Sequence, residues 1–471
     1  MDPQVERLLP PAVVVVDPMS TGARISADAA DRGFTIVRLW SSDCPPELRS
    51  HTSSSSRDVF AATLEHTGGY AIEALEATAR ALRALPVRIN AILCGSEPGV
   101  NLTDALSEHM RMRGNGTALA HVRRNKFNQS EAVRGAGVRA VKQALVSSVE
   151  EAAAFLPHLT QPAGAFRAIV KPVESAGSED VKLCESAAEV FEHARRVLGT
   201  TNALGQRNAS VLVQEFLVGA EYIVDCVSRD GDHKCVAVWL YDKRAANGAP
   251  FVYFGQRPLD VSAPGVPELI AYTLRVLDAL GIRNGATHSE VIVDGTGSAC
   301  LVECNCRAHG GNAEWVPVIE PLVGYSQVSA LLDAFLRPDA FAALPAAPQP
   351  FRSGGMLAFL PSYKDGVLLA APGIERVAKL RSCVRAALEQ HVGKRVVRTV
   401  NVFTELGIAL LVSPDRALVE ADYARVHELC ADAQFVIVEG DAPEVERAGA
   451  PKPAAGAAGM AADEPIALAA Y

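Results

Sequence analysis

A parallel α/β unit followed by strand-rich α+β regions is the fold class this sequence predicts, and three observations predict it. Short apolar runs alternate with helix-like stretches over the first hundred residues. Between residues 286 and 305, two runs rich in Val, Ile and Leu flank Asp-Gly-Thr-Gly. After residue 353, GGMLAFLPS, GVLLAAPG and TVNVFTELGIALLVS follow one another as strand-like segments. Strands alternating with helices mean a parallel sheet; paired runs around a glycine-containing turn mean antiparallel strands.

In order, AVVVV (12–16) reads as a fully buried strand, GFTIVRLW (33–40) as a second and residues 87–94 as a third. Ligands of parallel sheets bind beyond the carboxyl ends of strands. Two loops occupy such positions: Asp17, Ser20, Thr21 and Gly22, and Gly95, Ser96, Glu97 and Gly99. Turn chemistry alone would account for either. From residue 126, NQSEAVRGAGV predicts a helix ended by glycine, and VKQALVSS a strand. SSVEEAAAFLPHL starts with a serine cap and a glutamate three residues on. FRAIVKP and VKLC read as strands around the loop ESAGSED, SAAEVFEHARRVL as a helix and VLVQEFL as a strand. Strands dominate from residue 221 to the hairpin, interrupted by a helix over 269–280.

Of 471 residues, 49% are hydrophobic, so a sizeable core can be buried. A net charge of −9 argues against a nucleic-acid partner. No apolar run reaches the length of a membrane span, and MDPQVERLLP lacks the basic region of a signal peptide. Ten scattered cysteines without a small disulfide framework fit a reducing, cytoplasmic setting.

The hairpin carries the chemistry. A turn centred between Thr296 and Gly297 sets Val293 opposite Cys300, Glu290 opposite Glu303 and His288 opposite Asn305. Side chains alternate along a strand, so Glu290, Glu303, Asn305 and Arg307 share one face. Val291, Val293, Cys300, Val302 and Cys304 form the other, apolar face. Facing carboxylates repel; a divalent cation removes the conflict, and two carboxylates with an amide oxygen suit Mg²⁺. A solvated hairpin face with incidental charges is the competing reading. Zinc on Cys300, Cys304, Cys306 and His309 is disfavoured, because the paired C-x₂-C knuckle is missing and Cys300 and Cys304 fall on the apolar face.

Lys171 ends an apolar strand and precedes Ser175, Ala176, Gly177 and Ser178. Small residues let backbone amides approach a polyphosphate, and lysine adds a point charge. There is no Walker loop, and Gly135-Ala-Gly137 sits at a helix end where a dinucleotide fingerprint would not. QEFLVGAEY (214–222) is a strand becoming a linker; read alone it is an ordinary charged strand edge.

In this order, Lys126, Lys171 with its small-residue loop, Gln214 to Glu221, and Glu290, Glu303, Asn305 and Arg307 resemble the ATP-grasp carboxylate–amine ligases. The resemblance covers roughly residues 12–340. It implies that Lys126 and Lys171 hold the phosphates of ATP and that residues 174–180, with Glu174, Ser175 and Gly177, form a glycine-rich lid. It further implies that Gln214, Glu215 and Leu217 form the adenine hinge and that Glu221 binds the ribose. Glu290, Glu303 and Asn305 would bind Mg²⁺, with Mn²⁺ as an alternative, and Arg307 would face an acyl phosphate. Gln214 departs from the glutamate usual at that position. His288, the His309-Gly310-Gly311 turn and a small C-terminal domain are similar to the branch that ligates L-amino acids into dipeptides.

The expected division is an N-terminal parallel α/β domain (1–122), an ATP-grasp domain (123–340; lid 126–217, core 218–340), an α+β domain (341–440) and a disordered tail (441–471). The implied partners are a small carboxylate and an amine, with a homodimer as the assembly. A carboxylase using bicarbonate and a non-catalytic nucleotide-binding protein are the competing functions.

Overall fold

A computed structural model describes residues 8–49, 58–159, 165–173, 180–202, 205–439 and 468–469. Its first sheet is built from β1 (Pro11–Val16), β2 (Thr35–Trp40), β3 (Phe60–Glu65) and β4 (Arg88–Cys94), all parallel in the order β3-β2-β1-β4. Helices α1 (Thr21–Asp31), α2 (Ile72–Arg83) and α3 (Val100–His109) cover it. The run of valines in β1 is wholly buried because both faces are packed. Val13 and Val15 meet Ile25 and Ala29 of α1. Val14 and Val16 meet Leu75 and Leu82 of α2 and Leu106 of α3. The alternating strand β3 and the amphipathic helix α2 are additions to the sequence reading.

A second, antiparallel sheet has the order β5-β8-β6-β7, from β5 (Gln143–Val146), β6 (Ala168–Pro172), β7 (Lys182–Cys184) and β8 (Val211–Glu215). Helix α4 (Lys126–Gly135) precedes it, and α5 (Val149–Phe155) and α6 (Ala187–Val197) pack on it. The predicted start of α5 forms as read. Ser148 Oγ accepts from Glu151 N, and the Glu151 carboxylate accepts from Ser147 N at 2.7 Å. The expected lid residues Glu174, Ser175 and Gly177 lie outside the described residues.

The largest sheet carries β9 (Val218–Arg229), β10 (Asp232–Ala246), β11 (Ala249–Pro258), β12 (Gly285–Val293) and β13 (Ala299–Asn305). Helix α7 (Val266–Ala279) lies between β11 and β12, and α8 (Val316–Val323) and α9 (Gln327–Leu336) follow β13. Beyond them come β14 (Gly354–Leu360), β15 (Gly366–Ala370), β16 (Cys383–Leu388), β17 (Arg395–Val396), β18 (Gly407–Ser413), α10 (Arg416–Ala431) and β19 (Ile437–Val438). The order β13-β12-β9-β10-β11-β14-β18-β16 makes three of the late strands a continuation of the hairpin's sheet, while β17-β15-β19 forms a small sheet. Of TVNVFTELGIALLVS only β18 is a strand. Asn401 and Thr404 cap a 3₁₀ turn over Val402–Thr404 that ends extended pairing before it. Residues 440–467 and 470–471 of the expected tail lie outside the described residues.

The hairpin register departs from expectation at one point. His288 faces Asn305 and Glu290 faces Glu303, but a bulge follows, so Val293 faces Ala299 and Cys300 faces Ile292. The extra residue on β13 is absorbed beside Val302, which stays buried.

Candidate active site

The hairpin turn sets the first wall. Asp294 Oδ1 accepts from Thr296 N at 2.9 Å and Ser298 N at 3.0 Å, and Gly297 takes the left-handed φ of +82° that the turn requires. With the register so held, Glu290, Glu303, Asn305 and Arg307 line one cavity of about 360 Å³. Lys126 and Lys171 reach the same cavity from α4 and β6.

These side chains neutralise one another. Lys126 Nζ lies 2.7 Å from Glu303 Oε2, and Asn305 Nδ2 donates to Glu303 Oε1 at 2.9 Å. Burial would raise the Glu303 pKa, but Lys126, Asn305 and Lys171 hold it at about 2. Lys171 is 2% exposed; burial, then repulsion from Lys126, push its pKa down to about 8 against the pull of Glu303, Glu290 and Glu221. Tyr241 Oη donates to Glu290 Oε1 at 3.2 Å. Two carboxylates and an amide oxygen on one face, with no sulfur donor among them, fit a hard divalent cation such as Mg²⁺.

Both sequence-predicted loops of the first sheet serve this wall. Glu97 Oε2 lies 3.3 Å from Arg307 Nε and so fixes the guanidinium at the end of β13. Thr21 Oγ1 donates to the carbonyls of His309 and Gly310, and Ser20 Oγ accepts from Asn312 N at 3.2 Å. Asn312 and Ala313 are held there at φ of 53° and 59°, conformations that side chains beyond glycine adopt at a cost of about 1 kcal/mol or more.

Beneath the wall lies a buried network. Asp225, on β9, accepts from His288 Nδ1 at 3.0 Å, His309 Nδ1 at 2.9 Å and Trp239 Nε1 at 2.9 Å. Burial would raise its pKa, but the two imidazoles hold it well below the carboxylate range. Burial pulls His288 down, yet Asp225 and Glu290 outweigh it and lift the pKa to about 9. In His309, stacked on Trp315, burial prevails and lowers it. Among the described residues, this trio is the group whose ligand atoms converge closely enough for a metal; all three are engaged in hydrogen bonds. Cys300, Cys304 and Cys306 are free and buried, and among the described residues none of them joins His309 in a group that could hold a metal.

The residues expected at the nucleotide base do not line this cavity. Gln214 Nε2 donates to Gln143 Oε1 at 2.8 Å, and Glu215 Oε1 accepts from Lys142 N at 2.8 Å. Leu217 is buried against Val141, Ile292, Cys300 and Val302. Glu221 is fully buried, with both carboxylate oxygens 2.7 Å from Lys243 Nζ. Burial raises the Glu221 pKa and Lys243 opposes it; the carboxylate in turn holds Lys243 protonated. Sequence reasoning missed Asp225, Lys243, Tyr241 and Gln256, which lines the cavity with its Nε2 3.3 Å from His309 Nε2. A charged residue inside an apolar run, as in YIVDCV and VWLYDK, is a signal that would have found the first two.

Comparison with known proteins adds four findings. Residues 165–315 match the model of the ATP-grasp domain. The chain is 29% identical over 351 residues to dapdiamide A synthase of Enterobacter agglomerans, covering 74% of this chain and 80% of that protein. It is 25% identical over 247 residues to alanine–anticapsin ligase of Bacillus subtilis, about half of each chain (48% and 49%). In fold it matches an L-amino acid ligase from Bacillus licheniformis with a TM-score of 0.70, 15% identity and coverage of 92% of this chain and 99% of that one.

Proposed function

We propose that this chain, whose residues 165–315 match the ATP-grasp domain and which is similar to dapdiamide A synthase, is an ATP-grasp ligase that joins a carboxylate, an L-amino acid, to an amine through an acyl phosphate, releasing ADP and phosphate. The observation that carries the reading is convergence. Lys126 from α4, Lys171 from β6, Glu290 from β12, and Glu303, Asn305 and Arg307 from β13 and the residues after it line one cavity.

In this reading the carboxylate oxygen of the first substrate attacks the γ-phosphorus of ATP, and the bond to the β-phosphate oxygen breaks. Lys126 and Lys171 counter the charge that builds on the phosphates. Glu290, Glu303 and Asn305 would hold Mg²⁺, or Mn²⁺, which supplies neutralisation of phosphate charge when bound. Arg307, steadied by Glu97, holds the acyl phosphate while the amine nitrogen attacks its carbonyl carbon and phosphate leaves. No protein nucleophile is required; positioning and exclusion of water do the work. We extend the proposal to the adenine role of Gln214, Glu215 and Leu217, the ribose role of Glu221, the lid role of Glu174, Ser175 and Gly177, the division at residues 122, 340 and 440, and a homodimeric assembly. For Glu221, ribose binding requires that its oxygens exchange Lys243 for hydroxyl donors. No helix among the described residues is long and apolar enough to cross a membrane.

The test is phosphate release from Mg-ATP with paired L-amino acids. Two together should release more than either alone, with ADP as the nucleotide product and a dipeptide seen by mass spectrometry. Pyrophosphate release, or phosphate release indifferent to every amine, refutes it.

A further inference from the structure

One end of the cavity takes no part in the reaction outlined above. Glu405 follows the turn Val402–Thr404 and precedes β18; it is 4% exposed, and its buried Oε1 has no hydrogen-bond partner. Glu389 follows β16, and the backbone sets the two carboxylates close together: Glu389 N donates to Leu406 O at 3.0 Å, next to the Leu388–Gly407 pair. Both line the cavity that holds Lys126, Lys171 and Arg307. Burial, then repulsion from Glu389, raises the Glu405 pKa well above the carboxylate range. A buried carboxylate left without a partner is costly, and such groups persist where a ligand completes them.

Three features define the missing partner as an organic cation. The third carboxylate nearby, Glu314, is already paired with Arg385. Glu314, Glu389 and Glu405 do not converge on one point as metal ligands do, whereas an ammonium directs three N–H donors apart. Phe403, two residues before Glu405, lines the same cavity, and an aromatic face favours a cation. The hairpin end of the cavity balances Glu290 and Glu303 against Lys126, Lys171 and Arg307, whereas the end by β16 and β18 carries Glu389 and Glu405. In the sheet, β9, β10, β11 and β14 lie between β12 and β18.

We infer that Glu405, with Glu389 beside it, is the subsite for an ammonium group of the carboxylate substrate, and selects amino acids over plain carboxylic acids. The inference rests on the ligase reading for which end of the substrate reacts.

The test uses the full chain and E405Q, with titration calorimetry with and without Mg-ADP. Each standard L-amino acid is compared with its 2-deamino analogue, and L-lysine with L-norleucine. The wild-type protein should bind at least one ammonium-bearing acid tenfold or more tightly than its analogue. E405Q should lose that preference while keeping its affinity for the analogue and for Mg-ADP within twofold. The first comparison reports an α-ammonium, the second a side-chain ammonium. E405Q should also melt no lower than wild type, because the carboxyl it replaces is buried, costly to ionise and has an oxygen without a hydrogen-bond partner. Preference retained in E405Q, equal loss of both ligands, or no ammonium preference in the wild type overturns the inference. Failure of the ligase reading shows separately, as no phosphate release with any acid and amine.

Discussion

Replacing Asp225 with asparagine should destabilise the protein by an amount that depends on pH. Asp225 is fully buried and accepts from two imidazoles and an indole at 2.9–3.0 Å. At an effective dielectric of 20, one such charge pair is worth about 5 kcal/mol before desolvation, and deleting one partner of a buried pair costs about 3–5 kcal/mol. His288 gives the pH window. Its pKa rises from 6.5 to about 9 on folding. A histidine with a raised folded pKa contributes stability that is fully present below 6.5 and lost as pH rises through 9. That interval corresponds to about 3 kcal/mol. The gap between wild type and D225N should therefore be about 3–5 kcal/mol at pH 6 and smaller above pH 9, by at most about 3 kcal/mol because Glu290 also raises the His288 pKa. Urea unfolding followed by tryptophan fluorescence reads it, since Trp239 and Trp315 both pack on His309. A gap under about 1 kcal/mol, or one equal at both pH values, would refute an ionised Asp225 paired with a charged His288.

Further outcomes follow from the same wall. E303Q keeps the shape of the hairpin but removes the charge facing Lys126 and the proposed cation, so turnover should fall about 100-fold or more with an unchanged circular dichroism spectrum. Normal turnover in Mg²⁺ would remove Glu303 from the site. R307A should depress amide formation far more than nucleotide binding, because its charge matters most once the acyl phosphate exists; equal losses in both would contradict that role. E97Q should reproduce R307A in part, about tenfold in kcat with little change in the KM for ATP, since it loosens the guanidinium that Glu97 faces. An E97Q enzyme indistinguishable from wild type would mean that Arg307 is positioned by other contacts.

The amino-acid order alone determined what depends on neighbours in the chain. Alternation with period two and a turn marked by Asp294 and Gly297 were enough to bring Glu290, Glu303, Asn305 and Arg307 to one face. The five buried residues of AVVVV and the serine cap at Ser148 were legible for the same reason. Each rests on geometry repeated within a few residues. Where a backbone irregularity intervened, as at the bulge near Val302, local reading missed it, because the pattern of side chains does not encode which strand takes the extra residue. Only the tertiary structure decided the rest. It paired Glu221 with Lys243, gave Asp225 two imidazoles from beyond residue 287, and set Glu97 against Arg307. It also carried β14, β18 and β16 into the hairpin's sheet and so delivered Glu389 and Glu405 to the cavity. Contacts between strands tens to hundreds of residues apart follow from sheet order and burial, and neither leaves a period in the sequence.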